Sequence, residues 1–254
     1  MNITELKERL ASAEKILIGL GEEWRVRGSK EKEEQVRRSY AALYELLKEK
    51  DYFIVTMAMD AVIFDTELGS QSENVVSTDA VQEEHFSCSA DEAMIAKMDA
   101  LFPAKEKKQK QDTRFQRIVA PCGNETWRQC SNGCCKDIWE PGEIPEEICP
   151  HCGAALTGNT IEATPYIEEG YLPQWSHYLQ WLGGTFGKNL VILELGVGFS
   201  KPSVIRFPFE KTAFFNQKAQ MIRVHETLPQ VTEELAERAE SIAESSVAWV
   251  QKLC

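Results

Sequence analysis

The chain has 254 residues, 43% of them hydrophobic, which is enough for one large core or two modest ones. Its formal net charge is -12, and an acidic surface repels phosphate backbones, so nucleic acid is not an expected partner. No apolar run approaches the roughly 18 residues a membrane helix needs, and the opening MNITELKERLASAEK is too charged for a signal peptide, so a cytoplasmic, reducing setting without a membrane partner is expected.

In chain order, Thr4 is placed to cap a first helix with Ile3, Leu6, Leu10 and Ala13 on one face. The apolar run from Ile16 to Ile18 ends in Gly19 and Gly21, the pattern of a buried strand feeding a tight turn. Ser29 is placed to cap a second helix, with Val36, Tyr40, Leu43 and Leu47 at helical spacing. YFIVT (52–56) reads as a second strand. Residues 66–116 contain the polar stretches GSQSEN and KEKKQKQD around a predicted helix at 91–101, and read as a variable insert or lid. RIVA (117–120) reads as a third strand.

Five cysteines then fall within the 23 residues 130–152. In a reducing compartment such clustering points to a metal before it points to disulfides. Cys149 and Cys152 lie in a C-P-H-C-G turn, about 14 residues beyond Cys134, a spacing suited to a closed four-thiolate zinc site. The expected ligands are Cys130, Cys134, Cys149 and Cys152, with Cys135 as an alternative to Cys134 and His151 as a turn residue. A closed site leaves no position for water, so its role is structural: it fixes a loop-rich module short of apolar residues.

Beyond the cysteines, Trp175, Leu179 and Leu182 mark one face of a helix. NLVILELGVGF (189–199) is an apolar strand ending in a glycine turn, and QMIRV (220–224) is a final strand. Leu228, Val231, Leu235, Ile242, Trp249 and Leu253 predict a long amphipathic closing helix. Strands alternating with helices, and continuously apolar strands, predict an α/β doubly wound parallel sheet covered on both faces. Ligands of such sheets sit beyond the carboxyl ends of the strands, where Gly19 to Gly21, Thr56 to Asp60 and Gly196 to Gly198 would meet. A G-x-G turn alone serves packing or turn formation as readily as dinucleotide binding.

The order of these parts resembles the sirtuins, the NAD-dependent protein deacylases. A G-x-G turn comes first, then YFIVTMAMDAVIFDTELG, then IVAPCGNETWRQC leading into the cysteines, then an apolar strand with a glycine turn. The resemblance implies a Rossmann-like large domain over residues 1–121 and 158–254, interrupted by a zinc-binding module at 122–157. NAD or ADP-ribose and an acyl-lysine protein substrate would meet between the two. It places Gly19, Gly21, Glu23, Thr56, Asp60, Gly196, Gly198 and His225 at the nucleotide. Cys122 stands in the slot of the catalytic histidine, eight residues before Cys130, and Cys122 and Asp60 are the catalytic residues the resemblance implies.

Several positions depart from the family pattern. Glu23 replaces a serine, Met57 and Ala58 replace a glutamine and an asparagine, and Val224-His225 stands where isoleucine-asparagine is expected. A thiol ionises near 8.5, so Cys122 serves as base or nucleophile only if its pKa is lowered; otherwise it fills space. Glu22 and Glu23 either repel a phosphate or form a solvated cap. Asp60 binds a nicotinamide amide or caps a turn. His225 holds an adenine or lies at the surface. Arg206 meets an anion in the cleft or pairs with Glu194 or Glu210. Trp127, Trp139, Trp175 and Trp181 pack as core or hold the module on the large domain. Two functions follow: a divergent NAD-dependent deacetylase or ADP-ribosyl transferase, or a binding module for NAD, ADP-ribose or another small ligand that has lost catalysis.

Overall fold

The computed structural model describes residues 3–70 and 117–253. Apart from 66–70, the expected insert and its helix at 91–101 lie outside them. The helix α1 is Ile3–Ser12, with Thr4 inside it rather than at its cap. It is followed by strand β1, Lys15–Leu20, and helix α2, Lys30–Leu47. Ser29 caps α2 as expected, accepting the amide of Lys32 at 3.3 Å. Then come β2, Tyr52–Thr56, a one-turn helix α3, Glu67–Ser70, and β3, Ile118–Val119.

Six strands form one sheet in the order β3-β2-β1-β6-β7-β8. Here β6 is Leu190–Leu195, β7 is Gln220–Val224 and β8 is Ala239–Ile242, and every neighbouring pair is parallel. The order reverses at β1, between β2 and β6, the topological switch point of a Rossmann-like sheet. The strands are continuously apolar because each face is covered. Ile16, Ile18, Leu20, Ile54, Leu193 and Leu195 pack towards α1, α2 and the closing helix α6, Ser246–Gln251. Leu17, Phe53, Val55 and Ile192 pack on the other side, with Tyr178 of α4, Leu172–Gly183, and Phe209 and Ala213 of α5, Arg206–Phe215. Alternate residues of one strand thus feed two cores, as the period of two requires.

Two sequence expectations are corrected. In α4 the buried stripe is Tyr178 with Trp175 and Leu182 beside it, while Leu179 is 51% exposed. The spacing 175–178–182 fits one helix face, and 179 falls off it. The long closing helix is not formed. Instead a short 3-10 turn at Glu233–Leu235 leads to β8, and only then to α6. The reason is tertiary: β7 would otherwise present an open edge, and the polar segment AESI fills it with ladder hydrogen bonds. Arg238 fixes the entry to that strand by donating to the carbonyls of Ala213 and Asn216 at 2.7 and 3.0 Å.

Between β3 and α4 the chain leaves the sheet to build a small module. Its frame is an antiparallel pair, β4, Gly123–Cys130, and β5, Leu156–Thr160. The second strand therefore continues past residue 157. The module's own apolar cluster is small, with Cys130, Trp139, Cys149 and Leu156 as its buried members. Among the described residues no helix is long and apolar enough to cross a membrane.

Candidate functional site

Because all six strands run the same way, their carboxyl ends share one edge. That edge gathers Gly21 after β1, Thr56 to Asp60 after β2, Cys122 after β3, Gly196 to Gly198 after β6 and His225 after β7. Two glycines let the central loops meet. A Cβ on Gly21 would lie 2.1 Å from the carbonyl oxygen of Gly196. Gly196 itself has φ of 65°, in the left-handed region that favours glycine. Gly19 is different: a Cβ there would strike Ile205 and Phe209, so its role is close packing of α5 on the sheet.

The two glutamates that follow Gly21 part company. Glu22 reaches across to the loop after β6, where its carboxylate accepts the amide of Gly198 at 2.8 Å and the hydroxyl of Ser200. Burial pushes its pKa up, but the Ser200 and Gly198 hydrogen bonds outweigh it and hold the carboxyl below the ordinary range. Glu23 turns the other way. It accepts the amide and hydroxyl of Ser246 at 2.7 and 2.6 Å and the amide of Glu226 at 3.1 Å, so it anchors the start of α6. The carboxylate facing the β6 loop is therefore that of Glu22, where the sequence pointed to Glu23.

Cys122 is 2% exposed and packs in the apolar cluster that includes Met57, Met59 and Val197. Burial pushes its thiol up to about 11. Cys122 shares that cluster with Val197 of the loop after β6. Burial thus favours the neutral thiol, a weaker base and nucleophile than the thiolate. Asp60 spends its carboxylate on the backbone, accepting from Val26 at 2.5 Å and Val62 at 3.1 Å. It caps the turn before the 3-10 helix Val62–Asp65, and burial raises its pKa. The following residue, Ala61, has φ of 63°, an unusual conformation for a side chain with a Cβ. Thr56 is fully buried, and its hydroxyl accepts the amide of Ala58 at 3.1 Å.

His225 is folded into its own loop: Nδ1 accepts the amides of Thr227 and Leu228, both at 3.1 Å. Arg206 is buried between the loops after β6 and β7 and does not form the close ion pair. It donates to the carbonyls of Val197 at 2.7 Å and Leu228 at 2.8 Å, and its nearest carboxylate oxygen, on Glu194, is 3.9 Å away. The partner of Glu194 is Arg223, which sequence reading missed. Its guanidinium holds Glu194 at 2.6 and 2.9 Å and Glu210 at 2.8 Å, below the base of the edge loops. Nothing in the apolar run QMIRV signalled a buried pair, because strand pattern does not show which face carries a charge.

The cysteine module supplies a second set of chemistry. The sulfur atoms of Cys130, Cys134, Cys149 and Cys152 all lie within 4.8 Å of one another. Cys130 and Cys152 are 3.5 Å apart, and Cys134 and Cys149 3.6 Å. A tetrahedral ion with metal–sulfur bonds of about 2.3 Å requires sulfur–sulfur edges of about 3.8 Å. The four thiols fit zinc on this count. Backbone hydrogen bonds at Cys134 and Asn132 help pull the Cys130 thiol down, while the neighbouring thiols push Cys134 up, as expected of sulfurs crowded together. Cys135 lies outside this set of four.

The module is held to the large domain by several contacts. Trp127 of β4 stacks on Phe64 with ring centres 5.9 Å apart. Arg25 pairs with Glu125 of β4 at 2.8 Å and with Glu162, just beyond β5, at 3.0 Å. The amide of Glu125 donates to the carbonyl of Met59 at 2.7 Å. Trp127 thus holds the module, and Trp139 packs inside it. Trp175 and Trp181 belong to the large domain, Trp181 donating to Asp51 at 2.7 Å.

Comparison with known proteins agrees with this architecture. No family model matches the chain. A mutant of a Sir2 homologue, solved as a complex with ADP-ribose, superposes with a TM-score of 0.51 at 12% identity, covering 100% of this chain and 95% of that one. The fold is therefore sirtuin-like. A probable bifunctional ADP-ribose hydrolase/ADP-ribosyltransferase from Fusarium oxysporum f. sp. cubense is 29% identical over 139 residues, 43% of this chain. That match spans 22% of the relative's own length.

Proposed function

We propose that this protein is a sirtuin-fold binder of an ADP-ribose-type nucleotide, NAD included, that does not carry out histidine-type deacylation. One observation carries the reading: the position expected to hold the catalytic histidine is a buried thiol pushed up to about 11. A general base works best with a pKa near the operating pH. A group this far above it keeps its proton, and it lies closed in apolar packing.

Retention of a nucleotide site is supported by the edge loops themselves. The Gly198 amide and the Ser200 hydroxyl converge on one anionic group, the Glu22 carboxylate. A phosphate oxygen would use the same donors. Glu22 is thus a competitor that a pyrophosphate has to displace. Gly21 lets the loop after β1 pack against Gly196, which brings Glu22 to the loop after β6. NAD, when bound, would supply an activated glycosidic bond. The chain's own contribution is to position and desolvate the ligand, with no side chain at Cys122 to take up a proton. The solved homologue's ADP-ribose and the curated relative's name both support this ligand class. We propose zinc as the ion of the four-cysteine centre, with a structural role.

A second reading is ADP-ribosyl transfer, favoured by the name of the curated relative. The two separate cleanly. Thermal melting and calorimetry with ADP-ribose and NAD test binding, and nicotinamide release with and without an acetyl-lysine peptide tests turnover. Stabilisation by ADP-ribose without nicotinamide release is expected. Release that does not depend on the acyl group supports transfer instead. Acyl-dependent release, or no interaction with either nucleotide, overturns the proposal.

A further inference from the structure

We propose that the cysteine module carries a second metal site, made by Cys135, Asp137 and His151 and separate from the four-thiol centre. One donor atom from each of these residues lies within 4.8 Å of the other two. The set is one thiol, one carboxylate and one imidazole. That mixture suits a borderline-soft divalent ion such as zinc or cobalt. Three protein donors leave a fourth tetrahedral position open to water, unlike the closed centre beside it.

The three residues are brought together by the same turns that assemble the first centre. Cys135 follows Cys134 in the chain and is not one of the four grouped thiols; its sulfur borders Cys134 and Cys149 on one side and groups with Asp137 and His151 on the other. His151 rides on the C-P-H-C turn, which is fixed by hydrogen bonds from Cys149 to Ala154 at 2.7 Å and from Gly153 to Cys149 at 2.9 Å. Its Nε2 lies 2.7 Å from the Asp137 carboxylate, and the Trp139 ring stands 6.5 Å from the imidazole. An exposed histidine–aspartate pair contributes little by itself. Cys135 also packs on the module's own small cluster, and the donor atom it offers to the histidine–aspartate pair completes a three-donor set within reach of one ion. The site is more exposed than the four-thiol centre, so it fills after it and more weakly.

The test is an anaerobic titration of the metal-free 254-residue chain with cobalt alone, followed by its thiolate and ligand-field absorption bands. The wild type is expected to take a second equivalent after the first saturates, with a smaller rise in the thiolate band. His151→Ala, which removes an exposed side chain, and Cys135→Ser are each expected to abolish the second equivalent and keep the first. Saturation of the wild type at one equivalent overturns the proposal. So does a second equivalent that survives in His151→Ala, or a Cys135→Ser chain that loses the first.

Discussion

The carboxylate of Glu22 accepts the backbone amide of Gly198 at 2.8 Å, joining the loop after β1 to the loop after β6 across the switch point of the sheet. An acidic side chain thereby satisfies donors that an anionic ligand would use. Replacing Glu22 with alanine removes both the competitor and its charge. ADP-ribose affinity should rise about tenfold, equivalent to roughly 1.4 kcal/mol, measured by isothermal titration calorimetry. Unchanged or weaker binding would mean that these donors do not meet the ligand.

Glu23 gives the contrasting result. Its carboxylate holds Ser246 and Glu226 rather than the groove. Glu23→Ala should lower stability by about 1 kcal/mol, the usual cost of losing a helix cap, and leave ADP-ribose affinity near wild type. Denaturant melts and calorimetry on the same sample read the two effects separately.

The Cys122 thiol predicts a pH signature in the alkaline range. In the unfolded chain it ionises near its ordinary 9.0, while in the fold burial holds it up to about 11. Between these values the unfolded state has lost a proton that the native state keeps, so stability falls as pH rises. Two pH units correspond to roughly 2–3 kcal/mol. Unfolding free energies from pH 8 to 11 should show a shallower decline for Cys122→Ala than for wild type. Parallel curves would mean that the thiol ionises as readily in the fold as outside it.

Metal removal should act locally. The four-cysteine module has few buried apolar residues, whereas the sheet has two extensive cores. A strong zinc chelator is expected to release the module, seen as new protease cleavage within residues 123–160. The parallel sheet should keep its far-ultraviolet circular dichroism. Loss of both signals together would show that the module and the sheet fold as one unit.

Glu194 and Arg223 form a buried pair, 0% and 1% exposed at their side chains. Glu194→Ala leaves the guanidinium buried with only Glu210 as a carboxylate partner, and should cost about 3–5 kcal/mol. A cost below about 1 kcal/mol would indicate that water reaches Arg223.

Much of this was legible in the residues. Ile16 to Leu20, Tyr52 to Thr56 and Leu190 to Leu195 read as buried strands, because a sheet covered on both faces leaves its strands apolar at every position. Ser29 announced the start of α2 by a side chain that can satisfy a free amide. The cysteine spacing foretold four sulfurs gathered closely enough for one ion. These features depend on neighbours in the chain. Tertiary structure decided the rest. Glu22 and Glu23 are alike and adjacent, yet one faces the β6 loop and the other α6, because the turn after Gly21 points them to opposite sides. AESI became an edge strand because β7 had an open ladder beside it. Arg223, not Arg206, holds the close carboxylate pair, because the neighbouring strand supplies Glu194 to Arg223 while loop carbonyls meet Arg206. Backbone periodicity fixes which residues are buried, but partners from elsewhere in the chain determine what a buried or half-buried charge does.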